Sequence, residues 1–278
     1  MKRLSLGIST CPNDTFIFDA MVNNKLDTGD LGFDCDLSDV EKLNNQALKA
    51  EFDITKISYH AYAFASDDYI LLNSGSALGF NNGPLLVAKS EMEPDDLEDK
   101  PVAVPGRFTT ANLLLSIIYP GIKDKREYIF SDIEDVILKE EAAAGLLIHE
   151  NRFTYRDKGL SKIRDLGEEW DKQTSMPIPL GGIAVKRSLG VKTILQLQHI
   201  LAASIAHAYN DPLSSYDFVK KYAASMEKDI MYKHIDLYVN DFSRNLGEQG
   251  RKAVRLLYEK AAAVKAIPPV RDDIFAGM

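Results

Sequence analysis

The chain has 278 residues, 45% hydrophobic and 9% aromatic, enough to bury one large core or two of ordinary size. Its 33 basic and 41 acidic residues give a net charge of −8, which argues against nucleic acid, whose binders concentrate Lys and Arg. No apolar run approaches the roughly 18 residues of a membrane span, and the spacings of zinc motifs and of the Walker loop are absent.

Strand 4–9 comes first, ending in the turn Thr10-Cys11-Pro12-Asn13. The opening residues carry two charges and no apolar h-region, so they do not read as a signal peptide. An amphipathic helix follows from Asp14, with Phe16, Ile17, Ala20 and Met21 at helical spacing. Strand 32–37, helix 40–50, strand 53–57, helix 59–65 and strand 69–72 continue the alternation. The rhythm restarts with apolar strands 84–88 and 101–104, the turn Pro105-Gly106-Arg107-Phe108 and helix 109–119, stopped by Pro120-Gly121. Residues 128–130, 133–140 and 144–148 read as strand, helix and strand. A long irregular stretch containing Trp170, the only tryptophan, leads to the buried strand 181–185. Residues 193–264 read as helical, with boundaries near Asp211-Pro212, Ser225 and Ser243.

Alternating strands and helices predict an α/β protein with parallel sheets covered by helices. Two such blocks joined by apolar strands predict two lobes: residues 1–85 with 184–278 as a discontinuous large lobe, and 86–183 inserted as a small one. That pattern resembles the type-2 periplasmic-binding-protein fold, each lobe a mixed or parallel sheet flanked by helices, with a ligand cleft between lobes. Cys11 and Cys35 suit a reducing compartment, and the expected location is cytoplasmic.

In open α/β sheets ligands collect where strands run into helix N-termini. Four places qualify. The turn Ser9 to Thr15 caps a helix, with Asn13 or Asp14 as its cap acceptor and either one able to line a cleft. Cys11 there reads as a structural thiol, because no imidazole partner is evident. Thr55-Lys56-Ile57-Ser58 ends a strand, where Lys56 is either a cleft residue or a surface lysine; His60 reads as a packed or exposed helical side chain. Thr109-Thr110-Ala111 opens a helix after a glycine turn, either a plain cap or a carboxylate site using orphan N–H groups and the positive dipole end. His149 ends an apolar strand, and an imidazole near its ordinary pKa of ~6.5 serves as a base worth about 10²–10⁴ in rate. Glu150 is expected to point away from it. His199, His207 and His234 read as structural residues of the helical tail.

The runs Ser9-Thr10-Cys11-Pro12-Asn13-Asp14-Thr15-Phe16-Ile17-Phe18, Thr55-Lys56-Ile57-Ser58-Tyr59, Val104-Pro105-Gly106-Arg107-Phe108-Thr109-Thr110-Ala111 and His149-Glu150-Asn151-Arg152-Phe153-Thr154-Tyr155 together resemble the 1,4-dihydroxy-6-naphthoate synthase family. Pro179-Leu180-Gly181 and Tyr238 to Ser243 fit as well. Thr10, Phe108 and Asn151 depart from residues common in the family (Pro, His and Ser), and none of the three is the candidate base. The resemblance implies a lyase of the futalosine route to menaquinone that turns cyclic dehypoxanthine futalosine into 1,4-dihydroxy-6-naphthoate. It implies no metal or organic cofactor and a small-molecule carboxylate as the partner. By the same analogy His149 is the general base, with Lys56, Ile57 and Ser58 on one side of the substrate and Thr110 and Ala111 on the other. Two rivals share the fold. A transporter's solute receptor is disfavoured by the lack of a signal peptide, and the chorismate-dehydrating enzyme of the same pathway by the residues after His149.

Overall fold

The computed structural model describes residues 2–149, 151–223 and 227–277; Glu150 and the boundary expected at Ser225 lie outside them. Three βα units open the chain: β1 (Lys2–Ser9) with α1 (Pro12–Val22), β2 (Leu31–Ser38) with α2 (Val40–Ala47), and β3 (Ile54–Ser58) with α3 (Tyr59–Ala65). β1 pairs in parallel with β2 and β3. All five residues of β3 are buried, as befits an interior strand, whereas β2 alternates and turns Asp34 and Asp36 outward.

β4 (Tyr69–Leu71) and β5 (Ala77–Gly79) complete this part of the first sheet, and the chain then crosses to a second. The second lobe comprises β6 (Leu85–Ala88), β7 (Val102–Val104), α4 (Thr110–Ile118), β8 (Lys125–Glu127), α5 (Ile133–Leu138), β9 (Ala144–Leu147), α6 (Asn151–Thr154), β10 (Ser161–Asp165) and α7 (Leu166–Thr174). β11 (Ile178–Lys186) returns to the first sheet. It is followed by α8 (Val191–Asn210), α9 (Tyr216–Tyr222), α10 (Lys228–Tyr238), α11 (Asp241–Arg244) and α12 (Gly247–Ala263). The strand orders are β2-β1-β3-β11-β4, with β5 also on β11, and β10-β6-β9-β7-β8. The boundary expected at residue 184 falls inside β11, which pairs within the first sheet along its length.

Both sheets are mixed. β11 is antiparallel to β3, β4 and β5, and β6 is antiparallel to β9 and β10. These strands carry the chain between lobes, so they run against the local βα units. In the helical tail, Ile194, Leu197, Leu201, Ile205 and Ala208 recur at three- and four-residue spacing and are buried, where α8 packs on α1.

Two expectations fail in the second lobe. The strand expected at 128–130 lies instead at Lys125–Glu127, and Phe130–Asp132 forms a 3₁₀ turn. Residues 151–179 are ordered secondary structure. β10 was hidden because it is an edge strand whose Lys162 and Arg164 flank its single buried apolar residue, Ile163, across a bulge. α7 is capped by Asp165, whose carboxylate accepts from the N–H groups of Gly167 and Glu168. Trp170 on α7 is fully buried in a core with Leu86, Leu114 and Leu166, so it is lobe packing. Trp170→Ala should therefore cost about 3–5 kcal/mol, and Trp170→Phe much less, since Phe also removes an indole N–H that has no acceptor among the described residues. Urea unfolding followed by circular dichroism measures both; equal midpoints for the two variants would contradict this packing.

Candidate functional site

The N-terminal turn builds one wall. Cys11, and not Asn13 or Asp14, is the N-cap of α1; its side chain makes no capping bond, and Pro12 takes the first helical position. Asp14 is fully buried and is surrounded by donors: Lys56 Nζ at 2.7 Å and Asn13 Nδ2 at 2.8 Å on Oδ1, and Ser9 Oγ at 2.6 Å on Oδ2. Lys56 is accordingly no surface lysine. Its neighbour in β3, Ser58, is held by Asn44 of α2, which accepts from the Ser58 N–H at 2.9 Å and donates to its hydroxyl at 3.0 Å.

The opposite wall begins at the 104–109 turn. Gly106 has φ +140°, and a Cβ there would lie 2.4 Å from Cδ of Glu41, so the turn passes directly under that side chain. Glu41, on α2 of the first lobe, accepts from the Phe108 N–H of the second at 3.0 Å; burial raises its pKa. Thr109 is the N-cap of α4 and accepts from the Asn112 N–H. The Thr110 hydroxyl donates to the Leu180 carbonyl at 2.5 Å. The N–H groups of Thr110 and Ala111 have no acceptor among the described residues, so two donors and the positive end of a nine-residue helix remain for a ligand.

His149 stands two residues beyond β9 with φ +56°, in the left-handed region that a non-glycine residue seldom occupies. Its ring lies between Phe130 (centroids 5.0 Å, edge-on) and His234 (6.0 Å, stacked). Its Nδ1 is 3.3 Å from Sγ of Cys11. The reading of Cys11 as a thiol with no imidazole nearby is thus corrected: the pair is 138 residues apart in sequence and meets only through the fold.

Lys56, Ile57, Ser58, Thr109, Thr110, Ala111 and His149 all line one cavity between the lobes, together with Cys11, Asn13, Asp14 and Asn82. Its empty space is about 670 Å³, open solvent at the mouth included. Among the described residues, no cluster of three or more His, Cys, Asp or Glu side chains is placed to hold a metal ion. Sequence reasoning missed three participants. Glu41 was not singled out within the helix expected at 40–50. Asn82 is fully buried on the cavity wall, its amide without a partner among the described residues. His234, read as structural, reaches the site from α10; burial, then the neighbouring His149, Lys56 and Arg152, push its pKa well down. His199 and His207 remain on α8, away from the cavity lining, and His60 is buried behind the α4 cap with Nδ1 3.2 Å from the Thr109 carbonyl.

Comparison with known proteins adds a family. Residues 4–263 match a family model described as menaquinone biosynthesis. A Thermus thermophilus protein named 1,4-dihydroxy-6-naphthoate synthase is 41% identical over 99% of this chain and 100% of its own length. A Streptomyces coelicolor protein of the same name is 38% identical over 98% of each. Among solved structures, an Archaeoglobus fulgidus protein superposes with TM-score 0.88 at 38% identity, covering 94% of this chain and 97% of that one. The alkanesulfonate-binding protein of Xanthomonas axonopodis superposes with TM-score 0.73 at 11% identity, covering 96% and 94%, which establishes the two-lobed periplasmic-binding-protein fold.

Burial holds His60 neutral by lowering its pKa to about 4. The unfolded chain takes up that proton near pH 6.5 and the folded chain does not, so acidification from 6.5 toward 4 favours unfolding. His60 alone should remove about 3 kcal/mol across that window. Urea midpoints of wild type and His60→Phe, compared at pH 7 and pH 5, test the sign: the wild type should lose more. Parallel losses would show that His60 is not the group responsible.

Proposed function

This chain belongs to the menaquinone biosynthesis family, and from that premise we propose that it is a 1,4-dihydroxy-6-naphthoate synthase, a carbon–carbon lyase acting in the cytoplasm on cyclic dehypoxanthine futalosine. Full-length likeness to two relatives of that name supports the activity. The observation that carries the assignment to this cavity is that His149 lines it together with the α4 N-terminus, whose Thr110 and Ala111 N–H groups have no acceptor among the described residues.

The aryl carboxylate of the substrate sits at the α4 N-terminus against Thr109, Thr110 and Ala111, where N–H donors and the helix dipole favour an anion. The chain from Lys56 to Ser58 lines the other side. His149 is the general base of a retro-aldol-like fragmentation driven by aromatisation of the second ring. Removing one proton from the sugar-derived part releases those carbons, while hydroxyl and N–H donors hold the oxyanion that forms. Closure of the lobes, taken as residues 1–85 with 184–278 against 86–183, keeps water from that intermediate. Proton transfer and oxyanion stabilisation suffice for the step, so the reading asks for no metal or organic cofactor.

Purified protein incubated with cyclic dehypoxanthine futalosine should form the naphthoate, detected by mass, and His149→Ala should lower kcat by about 10²–10⁴. Full activity of His149→Ala would remove the base, and binding by the wild type without turnover would favour a receptor.

A further inference from the structure

Beyond the base, the cavity holds a second group able to move a proton. Cys11 Sγ lies 3.3 Å from Nδ1 and 3.6 Å from Nε2 of His149. Both residues line the cavity, one from each lobe. Cys11 occupies the N-cap of α1 without serving as a side-chain cap. Among the described residues, the charged and titratable groups around the pair include Asp14 on α1, Lys56 on β3, Arg152 on α6, and His234 and Tyr238 on α10.

His149 cannot travel far during a reaction. Its ring is held between Phe130 and His234, and its backbone occupies a left-handed conformation. A fragmentation takes a proton from one atom of the substrate and needs one at another, and a fixed imidazole serves one of those places well. We propose that Cys11 is the second catalytic residue, the acid that complements the base; this rests on the lyase reading above. His149 removes the proton of a hydroxyl on the sugar-derived chain, and that O–H electron pair becomes the new carbonyl. The adjacent C–C bond breaks, and its electron pair passes into the ring, which becomes aromatic with an oxyanion. The Cys11 S–H gives its proton to that oxygen, and the imidazolium returns a proton to the thiolate beside it. Atoms, electrons and charge balance with no oxidant and no net proton.

The experiment compares wild type, Cys11→Ala and Cys11→Ser in naphthoate formation over a pH series, with circular dichroism to confirm folding. It also measures the rate at which iodoacetamide alkylates Cys11 in wild type and in His149→Ala. Cys35 is a silent bystander, because burial pushes its thiol up to about 12. Cys11→Ala should lower kcat by about 10²-fold or more with KM changed less than about threefold, and should lose the alkaline limb of the kcat profile. Cys11→Ser, a weaker acid of similar shape, should fall between. Alkylation at pH 7 should slow about tenfold or more in His149→Ala, because the imidazole that accepts the thiol's proton as the sulfur attacks is gone. Cys11→Ala with kcat within about threefold of wild type overturns the acid role and leaves the lyase reading standing. Alkylation indifferent to His149 overturns the pairing. A wild type that makes no naphthoate overturns the lyase reading and this proposal together.

Discussion

The site depends on the buried contact between Asp14 and Lys56. A carboxylate with no solvent exposure is costly unless its charge is met, and here three donors surround it. The contact ties the first turn of α1 to the middle of β3, two elements of separate βα units whose strands β1 and β3 pair. With that turn fixed, Cys11 is fixed as well, and Ser58 keeps its place beside Asn44. Because Asp14 meets the charge of Lys56 within the wall, the proposed function puts anion binding at the α4 N-terminus.

The second lobe supplies what the first lacks. Its 104–109 turn is drawn toward α2 by the Glu41 carboxylate, which satisfies the Phe108 N–H and leaves the next two unsatisfied donors, on Thr110 and Ala111, facing the cavity. The strained turn after β9 brings His149 to the sulfur of Cys11. Each wall is therefore braced from within its own lobe or by one long side chain, and the functional groups meet at the seam. Hydrogen bonds such as Thr110 to the Leu180 carbonyl make the seam specific without making it large.

Much of this was legible in the chain because the opening alternation is regular. Helix 59–65 coincides with α3, and the strands at 4–9, 32–37 and 53–57 differ from β1, β2 and β3 by one or two residues at their ends. Local rules fix such elements, and they place Lys56 and Thr109 at strand-to-helix junctions. Two kinds of information were out of reach. Elements with little apolar periodicity, β8 and β10, are edge strands whose outward residues are charged. Partnerships across long sequence separations leave no local trace: Cys11 with His149, His149 with His234, and Glu41 with Phe108. His234 illustrates the limit, because nothing in the sequence of α10 distinguishes a histidine facing another histidine from one packed in a helical tail.

The fold is shared with a solute-binding protein, so under the proposed function the question is what would make this cleft reactive. Two lobes closing on an anion at a helix N-terminus is a binding device, and it needs no titratable group beyond those that neutralise the ligand. What is added here is an imidazole whose neighbour, His234, is buried and resists protonation. A charged residue in that place would change the proton affinity of His149 in one direction at all pH values near neutrality. A neutral ring instead supplies contact area and fixes orientation. Under the proposed function, chemistry enters this fold through the stiffness and charge-neutral packing of one histidine, with the binding architecture beneath it unchanged.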